Sequence, residues 1–245
     1  MKKKMEILMT AVLLLAACVF AKEGAVIVES LRAEENQGKT CIVIDAGHGG
    51  IDPGKVGVNG AEEKTLNLQI ALRLKALLES EGIEVVMTRQ DENGLYQEGT
   101  KNKKVEDMQK RCEIITGAMP VFTISIHQNS YPEEYVKGAQ TFYYGKSPEG
   151  KELAETIQSS MIERLDKENH RTAKANESYY LLKRTPSPTV IVECGFLSNA
   201  SEAELLINEE YQEQAAWAIH IGIMRYLNKN STKSAVLHGT VNHGY

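Results

Sequence analysis

At 245 residues the chain is long enough for one sizeable domain or two small ones, and 42% hydrophobic with 25% charged residues is an ordinary globular profile. A net charge of -5 argues against nucleic acid as the main partner, because phosphate binding wants a basic face. Basic and acidic residues are mixed along the chain, which leaves a local basic patch open.

The N-terminal stretch MKKKMEILMTAVLLLAACVFAKEG has a basic start and then an apolar run from Ile7 to Ala21. The run is short for a membrane span and right for the apolar part of an export signal. Residues 1–21 are therefore read as an export signal with three fates. It can be cut after VFA, processed at a lipobox-like LAAC in which Cys18 is lipidated, or kept as an anchor. Each places the protein outside the cytoplasm, with membrane contact only through this segment. Residues 22–39 read as a polar connector. Once Cys18 is removed or lipidated, Cys41, Cys112 and Cys194 remain, widely spaced and odd in number, so no disulfide framework is expected. Cys41 and Cys194 sit in apolar runs and read as small buried hydrophobes.

From residue 40 to 228, strand and helix patterns alternate. CIVID is a short, continuous, β-branched run and predicts a buried strand. Leu66, Ile70, Leu74, Leu77 and Leu78 share one helical face, in a helix that starts near Thr65 and ends at Gly82. IEVVMT predicts a strand, Val105 to Thr116 a helix, and VFTISI and AQTFYY two further strands. Leu153, Ile157, Met161, Ile162 and Leu165 again mark a helix, and TVIVE a buried strand. A last helix runs from Tyr211 to Leu227, with Ala215, Ala218, Ile219 and Leu227 inward. Residues 229–245 read as a polar tail that holds His238 and His243. The alternation predicts one α/β domain with a mostly parallel sheet and helices on both faces.

The polar residues fall at a common place. Asp45 and His48 follow CIVI, His127 follows VFTISI, and Glu193 ends TVIV. Open α/β sheets form their sites outside the carboxyl ends of strands, so three strands deliver His, His and Glu to one edge. The turn GHGG lets backbone and ligand approach His48 closely. Two histidines and a carboxylate are a known zinc set, and a second carboxylate beside the metal water can act as general base. Glu62 and Glu63 supply further carboxylates. Taken singly, each residue also has a plainer reading. Glu62 and Glu63 can merely favour a helix N-terminus, and His127 can be a satisfied strand-end histidine.

Together IVIDAGHGGIDPG, GAEEKTLNL, SIHQN and VIVECGFLSN resemble the zinc-dependent N-acetylmuramoyl-L-alanine amidases of the Amidase_3 type, in the same order and over nearly the whole domain. The resemblance implies that His48, Glu63 (rather than Glu62) and His127 hold one zinc ion, and that Glu193 is the catalytic base. It implies a twisted, mixed sheet of about six strands. The reaction it implies is hydrolysis of the amide joining the lactyl group of N-acetylmuramic acid to L-alanine of the stem peptide. The partner is then peptidoglycan, and a protein activator is also admitted. Ala46 stands where many relatives have proline, Gln128 where a small residue is common, and Thr116 where asparagine is common. Gln128 is expected to narrow the cleft. Between His127 and Glu193 the chain carries one helix and two short connections, with no room for a long inhibitory insertion. The GAQTFYYGK segment and compact form resemble the germination-specific, spore-cortex branch, whose stripped muramic acid becomes muramic-δ-lactam. Two other classes stay open: a non-catalytic peptidoglycan-binding module, and a zinc peptidase acting within stem peptides.

Other polar residues read as support. Asp45 is expected to brace the turn, and Arg89 and Asp91 to form a structural ion pair. Arg111 can meet either a substrate carboxylate or a loop. His170 and His220 read as structural or solvated, and Tyr179 and Tyr180 as packing before sugar platform.

Overall fold

The first strand, β1 (Cys41–Ala46), is β-branched and buried from Ile42 onward, as an interior strand of a parallel sheet must be. This computed structural model describes residues 40–239. The export signal with Cys18, the connector at 22–39 and residues 240–245 with His243 lie outside the described residues.

After β1 come α1 (Glu63–Ser80), β2 (Glu84–Met87), α2 (Lys103–Ala118), β3 (Phe122–Asn129) and β4 (Gln140–Tyr143). Then follow α3 (Pro148–Arg164), β5 (Lys174–Ala175), α4 (Tyr180–Arg184), β6 (Thr189–Phe196), α5 (Ala200–Leu206) and α6 (Glu209–Gly239). The six strands form one mixed sheet in the order β2-β1-β3-β6-β4-β5. All pairs are parallel except β4 with β6. The expected α/β architecture is thus the one observed.

Strand alternation divides the side chains between two faces. Ile42, Ile44, Ile124, Ile126, Val190, Val192 and Cys194 share one large core with α1, α3 and α6. Leu66, Ile70, Leu74 and Leu78 repeat along α1 and are almost wholly buried there. Full burial stabilises each by roughly 1.5–3 kcal/mol relative to exposure. The opposite face carries Val43 against Ile115 and Leu181, and Ile191 against Phe142 and Leu182. On β1, β3 and β6 that face also receives Asp45, Ser125, His127 and Glu193, because each is an odd step from its core-facing neighbours. Among the described residues, α2 and the short α4 pack against it, beside a cavity.

The helices start where their caps dictate. Asn102 accepts from the Val105 amide, Ser147 from Gly150 ahead of α3 with its Pro148, and Asn199 from Glu202. Several boundaries differ from the sequence reading. β3 and β6 run on through His127 and Glu193 to Asn129 and Phe196, with a register shift between His127 and Asn129. His127 therefore lies inside its strand rather than after it, and Glu193 inside its strand rather than at the end. The segment between them adds β5 and α4, too short at two and five residues to show a period. α6 continues past Leu227 to Gly239, into the stretch read as a polar tail. No proline or glycine falls between Leu227 and Gly239, and Asn230 and Ser231 bond back to the Tyr226 and Leu227 carbonyls. Cys194 is fully buried, whereas Cys41 and Cys112 are half-buried.

Candidate metal and catalytic site

The chain leaves β1 through Gly47, whose amide still donates to the Ile126 carbonyl. His48 then adopts a left-handed conformation at φ 62°. The glycines around it answer to the site's own side chains. A Cβ on Gly47 would overlap the His127 ring, and one on Gly54, at φ +68°, would run into Glu63 and His48.

Glu63 opens α1 and is 3% exposed. Its Oε1 lies 3.2 Å from His48 Nε2 and 3.0 Å from His127 Nδ1. Oε1 also accepts from the Gln128 amide at 3.1 Å and from Asn67 Nδ2 at 3.4 Å, and Oε2 accepts from the Lys55 amide at 2.7 Å. The donor atoms of His48, Glu63 and His127 all lie within 4.8 Å of one another, a group that can hold a metal ion. Two imidazole nitrogens and one carboxylate oxygen fit a divalent cation such as zinc. Glu62 points elsewhere: it is exposed and pairs with Lys64 at 3.0 Å.

The charges in the cluster are strongly coupled. Burial raises the Glu63 carboxyl, but His127 and His48 outweigh it and hold it far below the usual carboxylate range. Burial opposes a charged His48, yet Glu63 and Asp52 carry its pKa up to about 9.

Glu193 sits beside His127 in the β3–β6 ladder. It is 7% exposed, and its Oε2 has no hydrogen-bond partner. Burial raises its carboxyl to about 7, with His127 opposing and the Glu63 charge reinforcing the rise. A buried carboxylate that takes up and gives back a proton near neutral pH is suited to general acid–base work. All four residues line one cavity of about 490 Å³.

A polar brace lies under the turn. Arg111 is 1% exposed and meets Asp45 Oδ1 and Asp107 Oδ2 at 2.6 Å each. It also donates to the carbonyls of Ala46 and His48. Asp45 accepts from Thr88 and Ser125 as well. Asp45 braces the turn as expected, and Arg111 takes the loop option. The expected Arg89–Asp91 ion pair does not form. Arg89 is drawn beneath the turn to the carbonyls of Ala46, Gly47, Lys64 and Asp91, while the Asp91 carboxylate accepts from the Asn93 amide.

Gln128 lines the cavity, but its amide is turned to Asn67 Oδ1. Tyr179 packs edge-on against Phe142, and Tyr180 is exposed under Arg184; both also wall the cavity. His220 is buried against Trp217 and His170 is exposed. Asn67, Asp52, Tyr96 and Lys104 contribute to the site without having been singled out by sequence. A polar Asn67 one helical turn after Glu63, on a buried stripe, was the available signal.

A family model described as N-acetylmuramoyl-L-alanine amidase, Amidase_3, matches residues 42–225. The chain is 39% identical over 191 residues to a germination-specific N-acetylmuramoyl-L-alanine amidase of Bacillus subtilis (strain 168), covering 77% of this chain and 80% of that one. It is 31% identical over 209 residues to a sporulation-specific N-acetylmuramoyl-L-alanine amidase of the same organism, covering 80% and 72%. Among solved structures it is similar to the CwlD amidase from Clostridioides difficile, determined in complex with the GerS lipoprotein. The TM-score is 0.76 and the identity 44%, over 78% of this chain and 99% of that one.

Proposed function

The chain belongs to the N-acetylmuramoyl-L-alanine amidase family, enzymes of peptidoglycan, and we propose that it works with one zinc ion held by His48, Glu63 and His127. The bond cut is the amide between the lactyl group of N-acetylmuramic acid and L-alanine of the stem peptide. The observation that carries this reading is the His48–Glu63–His127 cluster sharing one cavity with a buried Glu193 whose Oε2 is unpartnered.

When bound, zinc would polarise the scissile carbonyl and lower the pKa of a water to ~7. Glu193 takes a proton from the attacking water on Oε2 and gives it to the departing L-alanine amine. The products are the lactyl carboxylate on the glycan and a free peptide amine. Glu63 is held by two backbone amides, of Lys55 and Gln128, so its position does not depend on flexible side chains. Tyr179, Tyr180 and Leu181 wall part of the same cavity.

The germination-specific and sporulation-specific relatives support a place in spore-cortex maturation, where the stripped muramic acid becomes muramic-δ-lactam through a separate enzyme. The germination-specific and sporulation-specific amidase relatives and the export-type N-terminal segment support action outside the cytoplasm. The GerS complex of CwlD supports a protein partner for this chain too.

Digestion of purified cortex peptidoglycan with zinc present, followed by product mass spectrometry, tests the reading. The expected products are peptides with a free L-alanine amine and glycan without peptide. Cleavage inside the stem peptide would instead establish a peptidase, and intact substrate a binding module.

A further inference from the structure

The loop after His48 folds back on itself. The amide of Gly49 donates to the Asp52 carbonyl at 3.0 Å, and that of Asp52 to Gly49 at 3.1 Å. This tight hairpin returns the Asp52 carboxylate to the His48 ring, with Oδ2 3.0 Å from Nδ1. The other oxygen, Oδ1, accepts from Lys104 Nζ at 2.8 Å and from the Gly54 amide at 3.4 Å. The two ring nitrogens of His48 are therefore divided: Nδ1 is committed to Asp52, and Nε2 faces Glu63 at 3.2 Å. Asp52 holds the nitrogen turned away from the Glu63–His127 cluster, so it is not a fourth donor to the same ion.

We propose that Asp52, braced by Lys104, is a positioning residue that fixes His48 with Nε2 turned to the metal. The proposal rests on His48 being a metal ligand. A carboxylate on the second nitrogen sets the tautomer, locks the ring and makes the first nitrogen a better donor. Lys104 belongs to α2, the same helix whose Arg111 donates to the His48 carbonyl. One helix thus holds both the backbone of His48 and, through Asp52, its ring. Lys104 is 66% exposed on its side chain, so its share is the smaller one.

The test is zinc affinity, read by competition with a chromophoric chelator, for the wild type and for Asp52→Ala, Lys104→Ala, Lys104→Arg and the Asp52→Ala/Lys104→Ala pair. Asp52→Ala should weaken zinc binding by about 10–100-fold. Lys104→Ala should weaken it by no more than about fivefold, the scale of an exposed ion pair, and Lys104→Arg should restore it. The double variant should match Asp52→Ala alone, because Lys104 acts only through Asp52. Ring-nitrogen NMR of the zinc-loaded protein supplies a second readout. The Nδ1 proton of His48 should be protected in the wild type and exchange freely in Asp52→Ala, with the His127 signals unmoved. Zinc affinity in Asp52→Ala within twofold of the wild type would overturn the proposal. So would an undiminished Lys104→Ala effect on the Asp52→Ala background. His48→Ala separates the two levels: a wild type that binds zinc no better than His48→Ala sinks the metal reading itself, whereas tight wild-type binding with no Asp52 effect sinks only the positioning role.

Discussion

Arg111 Nη1 meets Asp45 Oδ1 at 2.6 Å with both side chains almost wholly buried, and the same guanidinium holds the carbonyls of Ala46 and His48. The pair joins β1 to α2 directly beneath the turn that carries His48. Removing one partner strands a buried charge, which typically costs 3–5 kcal/mol. Asp45→Asn and Arg111→Met should each lower unfolding free energy by about that amount. Combined, they should cost less than their sum, and chemical denaturation of the double-mutant cycle measures the difference.

The same pair sets an acid limit on stability. Burial raises the Asp45 carboxyl, but Arg111 and the Ser125 and Thr88 hydroxyls bring it down to about 2. An unfolded aspartate titrates near ~3.9. Because the folded value is the lower one, the contribution is complete above about pH 5 and is lost as pH falls through about 2, for roughly 2–3 kcal/mol in all. The stability gap between wild type and Asp45→Asn should therefore narrow between pH 5 and pH 2. Denaturant midpoints measured across that range check it, and a gap of constant size would show that the Asp45 pKa does not differ between the folded and unfolded chain.

Gly47 tests how closely the ligands are packed on the backbone. A methyl group there would overlap the His127 ring, so Gly47→Ala has to displace that ring or the turn that carries His48. Zinc affinity and activity should fall together, by tenfold or more for a displaced ligand. The fold should persist, since the hydrophobic core lies on the other face of the sheet. Metal titration alongside a thermal melt separates the two effects.

Much of this was legible in the residues. The strand runs CIVID and TVIVE and the Leu66–Leu78 stripe carry their periods openly, because burial on a sheet or helix face forces them. The convergence of His48, His127 and Glu193 follows from strand direction alone. Their exact placement did not: the apolar runs stop before His127 and Glu193, while backbone pairing carries both strands further. Arg89 illustrates the other limit. Its neighbour Asp91 suggested an ion pair, but the partners that count are carbonyls of β1 and α1, which no sequence pattern displays. Asp52 was hidden for the same reason, since its link to Lys104 spans two segments joined only by the fold.

Glu63 and Glu193 should fail differently when replaced. Glu63 sits between both histidines, so Glu63→Ala removes a donor and should lose zinc affinity and activity together. Glu62 is exposed and paired with Lys64, and Glu62→Ala should leave both unchanged. Glu193 makes no bond through Oε2 and stands beside the cluster rather than in it. Glu193→Gln keeps its shape and packing but cannot accept a proton from water. It should bind zinc and fold as the wild type does, while turnover drops by ~10²-fold or more, the usual scale for a lost general base. Metal content and rate are to be measured on the three variants side by side. Loss of zinc in Glu193→Gln with retention in Glu63→Ala would reverse the two roles, and loss of zinc in Glu62→Ala alone would mean that the ligand is its neighbour. The expected pattern, by contrast, is one that neither a binding module nor a single shared role for the two carboxylates produces, because only a distinct ligand and base separate metal retention from turnover.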